Sequence, residues 1–429
     1  MKRHGILTAC TIVGAVLLTA FFCVSIISGK TRAGNISADT DAPADSSGIN
    51  LRIDNDSFEA IAGIDNRVRA YMSRWELKGA ALAVTRNDSL VYAKGYGIAD
   101  DGVPMQPGTG MRIASVSKLI TAVAVMKLCE DGMMSLQDTV FGERGILNEK
   151  LYTDAVAGRQ AFGKITVEHL LRHQGGFYRD PMFGMQNLMQ ECGLDAPLDH
   201  DRTVQLGLRG RLRFEPGTWQ RYSNFGYLLL SDIVERVSGM PYEDYVREKV
   251  LAPCGCRDMR IGGNWYEDKL PGEARQYTHE GEGKYIPDIR DTSRLTERSY
   301  GGNDIGLLSG AGGWVASALE LARLVSCIDA DPAVPDILSP ESVARMTETT
   351  DEERYALGWN DTRPDKGWSR TGTLSGTTAM VRRYPDGECW VFLSNTSTYK
   401  GPAQASYTEK LLNQMREQCS STLPHIDLF

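Results

Sequence analysis

The sequence predicts an α/β (α+β) fold in which one antiparallel sheet, flanked by helices, carries an inserted and mostly helical lobe. Strand-like runs lie near both ends of the chain, at 78–99 and 368–394. A helix-like run precedes the first and another follows the second. Between them, from about 133 to 307, apolar helical patterns alternate with long loops. A chain of 429 residues is long enough to hold a core of that size.

The elements follow in chain order. Lys2, Arg3 and His4 precede an uncharged, largely apolar run from Ile6 to Ser28. That run exceeds the usual signal core of about 7–15 residues and suits one membrane span. Neither Cys10 nor Cys23 follows a good lipobox. Residues 1–28 are therefore expected to be an N-terminal membrane anchor, with a cleaved signal segment as the alternative. Either way Lys2 and Arg3 stay inside, and the rest is exported to the extracytoplasmic cell envelope. Residues 29–50, rich in Ser, Asp, Ala and Gly, read as a flexible linker. Residues 51–420 are expected to form the globular domain.

Within that domain, Asp56 to Leu77 has helical periodicity, with Phe58, Ile61, Ile64, Val68 and Tyr71 on one side. Strands are expected from Lys78 to Ala99 and from Trp368 to Ser394. The second region reads strand, strand, turn, strand: Pro385-Asp386-Gly387 makes the turn and Trp390 to Leu393 a buried strand. A last helix near Ala403 to Cys419 should pack on the sheet. The polar, Gly-rich stretch Gly262 to Asp304 suggests a lid or specificity loop, acting with Phe177 to Asp180.

Three motifs occur in order. Ser115-Val116-Ser117-Lys118 opens an apolar helical run (Leu119, Ile120, Val123, Val125, Met126, Leu128) that Asp131-Gly132 ends. Ser115 should sit at the helix start, where its backbone N–H is free to face an oxyanion. Lys118, three residues on, shares its face. A buried lysine loses part of its preference for charge and can take a proton from the serine Oγ. The expected helix is apolar on one side. Tyr222-Ser223-Asn224 follows the Pro216-Gly217 turn and precedes another apolar helix, Leu228 to Val237. Tyr222 could relay a proton, and Asn224 could orient Lys118 or bind a substrate amide. Arg370-Thr371-Gly372-Thr373 lies on a predicted strand whose small residues let a substrate approach, and the Thr373 N–H is the second candidate oxyanion donor. A second S-x-x-K, Ser397 to Lys400, shows that the first motif alone is near chance level, whereas Y-x-N and a basic residue followed by Ser/Thr-Gly each occur once.

Together these motifs resemble the serine β-lactamase and penicillin-binding-protein-like superfamily, in its class C β-lactamase, DD-peptidase and esterase branch. Gly79 to Val84 with Leu90 to Gly97 resembles the family's first hairpin, Ile165 to Gly176 its histidine-containing segment, Tyr242 to Cys256 its structural turn, and Ala311 to Ser317 its double-glycine segment. The resemblance covers roughly residues 78 to 400. It implies a β-lactamase/transpeptidase-like fold and an acyl-enzyme mechanism. Ser115 would be the nucleophile, Lys118 and Tyr222 would share acid and base roles, and the N–H groups of Ser115 and Thr373 would hold the oxyanion. Asn224, Arg370, Thr371, Gly372 and Thr373 would bind substrate. Arg370 departs from the usual Lys or His. Arginine keeps its charge and presents a planar fork suited to a carboxylate, but it cannot shuttle protons.

Composition narrows the partners. A net charge of −8 argues against nucleic acid, so a small-molecule or peptide substrate is expected, with the membrane as partner of the N-terminal segment. No cofactor and no metal are expected: His169 and His173 are four apart, but the order is not H-E-x-x-H and no third ligand is in view. Of nine cysteines, seven follow the apolar run, an odd number that leaves at least one unpaired in an exported domain. Cys129, Cys327 and Cys389 fall in apolar patterns and are expected to be buried. Cys254-Gly255-Cys256 falls on the structural turn. Two function classes follow: a serine hydrolase acting on D-amino-acid wall peptides, β-lactams or small esters, or an inactive relative that binds a wall peptide or envelope partner.

Overall fold

The computed structural model describes residues 51–429 apart from 183, 185–187, 189–192, 194–197, 280–283 and 351. The proposed anchor and linker, and with them Cys10, Cys23 and Cys192, lie outside the described residues. No helix among the described residues is long and apolar enough to cross a membrane.

The centre is a six-stranded antiparallel sheet in the order β3-β2-β1-β11-β10-β9. Its strands are β1 (Gly79–Arg86), β2 (Ser89–Asp100), β3 (Val103–Pro104), β9 (Trp368–Leu374), β10 (Thr377–Arg383) and β11 (Glu388–Ser394). The two strand regions expected from the sequence therefore meet, with Ala83 opposite Val391 where β1 pairs with β11. Helix α1 (Ala62–Trp75) and the C-terminal helix α5 (Gln404–Cys419) pack on the sheet together. Tyr71 of α1 places its ring 5.8 Å from that of Phe392 and its hydroxyl 2.8 Å from Thr408 Oγ1. Helix α4 (Ala318–Val325) packs against β1 and β11. Those two strands are buried nearly end to end, which explains their continuous rather than alternating apolar pattern.

The chain leaves this sheet after β3 and enters the lobe through a second sheet, β4-β8-β5, made of β4 (Met111–Arg112), β5 (Arg260–Ile261) and β8 (Trp314–Ala316). Pairing of Met111 with Ala316 brings the residues just after β4 beside those just before β8. Helix α2 (Ser117–Glu130) follows at once and packs against α3 (Asn224–Ser238). Ten consecutive residues of α2, Ser117 to Met126, are buried. The expected one-sided helix is thus a central one, apolar around its circumference because other elements surround it.

The stretch 262–304 contains a small hairpin, β6 (Tyr285–Pro287) with β7 (Leu295–Glu297). It is held by the buried Arg112, which donates to the carbonyls of Ser299 (2.9 Å) and Gly263 (2.8 Å) and stacks on Tyr300. The described cysteines 129, 254, 256, 327, 389 and 419 are free thiols. Cys327 and Cys389 are buried as expected, whereas Cys129 is only half-buried. Cys254 and Cys256 are tucked under α4, the Cys256 thiol donating to the Glu320 carbonyl.

One turn carries a stability prediction. Asn87 and Asp88, both at positive φ, join β1 to β2. The Asp88 side chain is buried, with Oδ2 lacking a partner among the described residues. Burial, with Asp329 nearby, pushes its carboxyl up to about 7 from 3.8. Because the folded value is the higher one, the favourable contribution is complete below the unfolded value and is lost as pH rises through 7. Asp88→Asn, which tolerates the left-handed turn, is expected to raise stability by about 1–2 kcal/mol at pH 8 and to change it little near pH 4. Urea melts at the two pH values check this; equal effects at both would refute it.

Candidate active site

The chain enters the site under backbone strain. Ala114 sits at φ 47° in the left-handed region, an unusual place for alanine. A single 3₁₀ turn, Ala114–Val116, then leads into α2, leaving Ser115 half-buried at its tip. The Ser115 N–H belongs to this first turn, where no intrahelical acceptor exists.

Lys118 lies one turn on and is fully buried. Its Nζ is 2.6 Å from Asn224 Oδ1, 2.6 Å from the Ala311 carbonyl and 3.3 Å from Ser115 Oγ. Burial first, then the charge of Arg370, hold its pKa well below the usual lysine value. A neutral amine has two N–H donors and one lone pair. The two short contacts are to pure acceptors, so in the neutral form both N–H groups would be engaged and the lone pair left for the Ser115 hydroxyl proton.

Tyr222 donates its hydroxyl to Ser115 Oγ at 2.7 Å. Burial raises the pKa of this phenol, and the charge of Arg370 acts against that rise. The phenol therefore keeps its proton near neutral pH. Asn224 begins α3 and its own N–H donates to Asp180 Oδ2 at 2.6 Å, so a half-buried carboxyl group covers the helix N-terminus directly behind the site.

The third motif lies on β9, the edge strand. Ser369 and Thr371 direct their N–H groups away from β10, to the Asp361 carbonyl and to Asn360 Oδ1. By the two-residue period, the Thr373 N–H points the same way, into the cleft. Gly372 lies against the nucleophile turn: a Cβ there would stand 2.1 Å from the Ile113 carbonyl oxygen and 3.0 Å from Ser115 N. The Thr371 hydroxyl is engaged by Asn360 at 3.1 Å. Arg370 is fully buried and donates from Nε to the Ser115 carbonyl at 2.7 Å. Neither Nη makes a well-formed hydrogen bond among the described residues; the cation acts on Lys118 through its charge, and on Tyr222 through its charge and a side-chain contact. The carboxylate-binding fork expected from the sequence is not presented to the cleft, because the head of Arg370 is beneath Ser115 rather than beside it.

These side chains open on a cleft of about 910 Å³. Ser115, Tyr222, Asn224, Thr371 and Thr373 line it, and its outer wall comes from 349–350, 352–355, 360–364, 402–403, 405–406 and Glu409. The stretch 262–304, expected to shape specificity, contributes none of its described residues to that wall. The second S-x-x-K does not line the cleft: Lys400 lies over the rings of Tyr399 and Tyr407. His169 accepts the Thr166 N–H within a helix cap, and His173 stacks on Tyr222. Among the described residues no group of three or more His, Cys, Asp or Glu could hold a metal. The Ala311 carbonyl and Asn360 were missed by sequence reasoning, and Asp180 was marked only as part of a specificity segment, not as the acceptor at the start of α3. The Ala311-Gly312-Gly313 segment was the one available signal for the first.

Comparison with known proteins agrees with this geometry. The family model described as Beta-lactamase matches residues 64–413. Penicillin-binding protein 4* of Bacillus subtilis (strain 168) is 27% identical over 333 residues, covering 75% of this chain and 68% of that protein. Esterase EstB of Burkholderia gladioli is 27% identical over 301 residues, covering 66% and 74%. The octameric penicillin-binding protein homologue from Pyrococcus abyssi superposes with a TM-score of 0.60 at 25% identity, covering 85% of this chain and 78% of that one.

Proposed function

The chain belongs to the β-lactamase family and is a serine hydrolase, and from that premise we propose that it opens amide or ester carbonyls through an acyl-enzyme on Ser115, outside the cytoplasm. One observation carries the proposal: Ser115 Oγ lies between the Tyr222 hydroxyl and a Lys118 amine whose other contacts are both acceptors.

Ser115 gives its proton to Lys118 Nζ as Oγ bonds to the substrate carbonyl carbon. The oxyanion that forms is held by the Ser115 and Thr373 N–H groups, both aimed from rigid elements. As the tetrahedral adduct collapses, the Tyr222 hydroxyl protonates the leaving nitrogen or oxygen, and Lys118, now an ammonium 4.8 Å from the Tyr222 ring centroid, restores the phenol proton. Water enters by the reverse sequence and releases the acid. The directions of the two pKa shifts support lysine as the base and tyrosine as the acid. D-Amino-acid peptides of the cell wall, β-lactams and small esters all present a suitable carbonyl. The names of the relatives, a penicillin-binding protein and an esterase, support that range.

Intact-mass analysis after exposure to a fluorophosphonate, and separately to a penicillin, tests the chemistry. An adduct on the wild type that Ser115→Ala abolishes is the expected result. Labelling by penicillin as well would point to wall peptides, and labelling by the phosphonate alone to esters. A folded protein that takes neither reagent would instead be the inactive binding relative. Repeating the labelling on intact cells with a membrane-impermeant phosphonate tests the export inferred from residues 1–28; labelling only after lysis would refute it.

A further inference from the structure

His173 is a buried residue with no place in the proton relay, yet its backbone and ring are both committed to the residue that delivers the proton. It follows the short helix Val167–Leu171 at φ 60°, the left-handed position that closes helices and is ordinarily filled by glycine or asparagine. A histidine held there is a local cost that the surroundings must offset. Its carbonyl accepts the Arg221 N–H at 2.9 Å, and its Nδ1 accepts the Ser223 N–H at 3.2 Å. Both chain neighbours of Tyr222 are thus tied to this one residue. The imidazole also lies against the Tyr222 ring, with centroids 4.5 Å apart and planes at 38°. Tyr227 and Tyr355 pack on it at 5.2 and 4.9 Å.

We propose that His173 is the positioning residue for Tyr222, clamping its backbone on both sides and its ring on one face so that the hydroxyl stays on Ser115 Oγ. The inference rests on Tyr222 serving as the proton donor described above. An Nδ1 that accepts requires the neutral ring with its proton on Nε2. Burial, with Arg370 and Lys118 nearby, holds the pKa of His173 well below the usual histidine value, so the ring stays in that form. From this left-handed position the carbonyl and the ring both reach the 221–223 segment.

His173→Asn keeps an acceptor at the position of Nδ1 and tolerates the left-handed backbone, but removes the ring. His173→Phe keeps the ring and removes the acceptor. Single-turnover acylation of the full-length enzyme by p-nitrophenyl acetate separates substrate binding from the acylation step. Acylation is expected to slow about 10- to 100-fold in each variant, while the substrate dissociation constant stays within about 3-fold. A residue that merely supports the fold would change the melting temperature and the active fraction but not the rate of the folded molecules. If a cooperatively melting variant acylates within about 3-fold of wild type, or loses activity only through binding, the proposal is wrong. If one variant fails to fold, the other decides on the same criterion; if neither folds, the role is structural and the proposal falls. Wild-type enzyme that forms no Ser115 adduct would sink the serine-hydrolase reading itself, which these variants leave untouched.

Discussion

Lys118→Met is expected to slow acylation of Ser115 by about 10³-fold or more while leaving the fold intact. Methionine fills nearly the same buried volume, so the packing of α2 survives. The lone pair that takes the serine proton does not. Asn224 Oδ1 and the Ala311 carbonyl would lose their shared donor, which adds a stability loss of about 1–3 kcal/mol. The pH profile of the wild type follows from the same group. Lys118 acts as a base only when neutral, and its pKa is lowered, so acylation falls as pH drops through that lowered value. Tyr222, with its pKa raised, keeps the profile flat on the alkaline side until the phenol ionises. Arg370→Gln removes the nearby positive charge and should move the acid limb to higher pH. Stopped-flow acylation across pH checks both points. An acid limb unchanged by Arg370→Gln would show that burial alone sets the lysine pKa, and a Lys118→Met enzyme acylating within about 10-fold of wild type would remove lysine from the base role.

Gly372→Ala is the second large effect. The added methyl would meet the Ile113 carbonyl oxygen at 2.1 Å and crowd Ser115 N at 3.0 Å. Both neighbours are backbone, so no side chain can swing aside. Strand β9 and the Ala114–Val116 turn must separate, and with them the two N–H groups that share the oxyanion. Loss of one such donor typically costs about 10²–10³ in kcat. The expected outcome is a fall of that size in kcat, together with a melting temperature lowered by several degrees. Near-wild-type kcat in a folded Gly372→Ala enzyme would mean that Thr373 is not an oxyanion donor.

Much of this site is legible in the sequence because its chemistry depends on side-chain identity. Ser115, Lys118, Tyr222 and Asn224 were marked by residue type, order and local setting, and the structure brings all four within one hydrogen-bonded cluster. The strand regions at 78–99 and 368–394 were legible from apolar, β-favouring runs between turn residues. What escaped notice has physical reasons. The Ala311 carbonyl that holds Lys118 is backbone, which any residue supplies, and it lies 193 positions away. The strain at Ala114 and His173 has no compositional mark, since neither is glycine. The outer cleft wall at 349–350, 352–355 and 360–364 carries none of the motifs that the sequence offers. The glycine-rich stretch 262–304 looked more functional because polar, flexible composition is also what a docked surface segment requires.

The sequence by itself marked the groups that the site brings together, and the strand and helix segments that hold them, because residue type and short-range periodicity are local properties. Only the tertiary structure decided how those groups behave. It buried Lys118 and so lowered the pKa of its amine, and it placed Arg370 against the Ser115 carbonyl, where its charge reaches Lys118 and Tyr222. It set His173 against Tyr222, and it chose which connections wall the cleft. Burial, electrostatic coupling and close approach of backbones depend on contacts between residues far apart in the chain, and no local pattern specifies them.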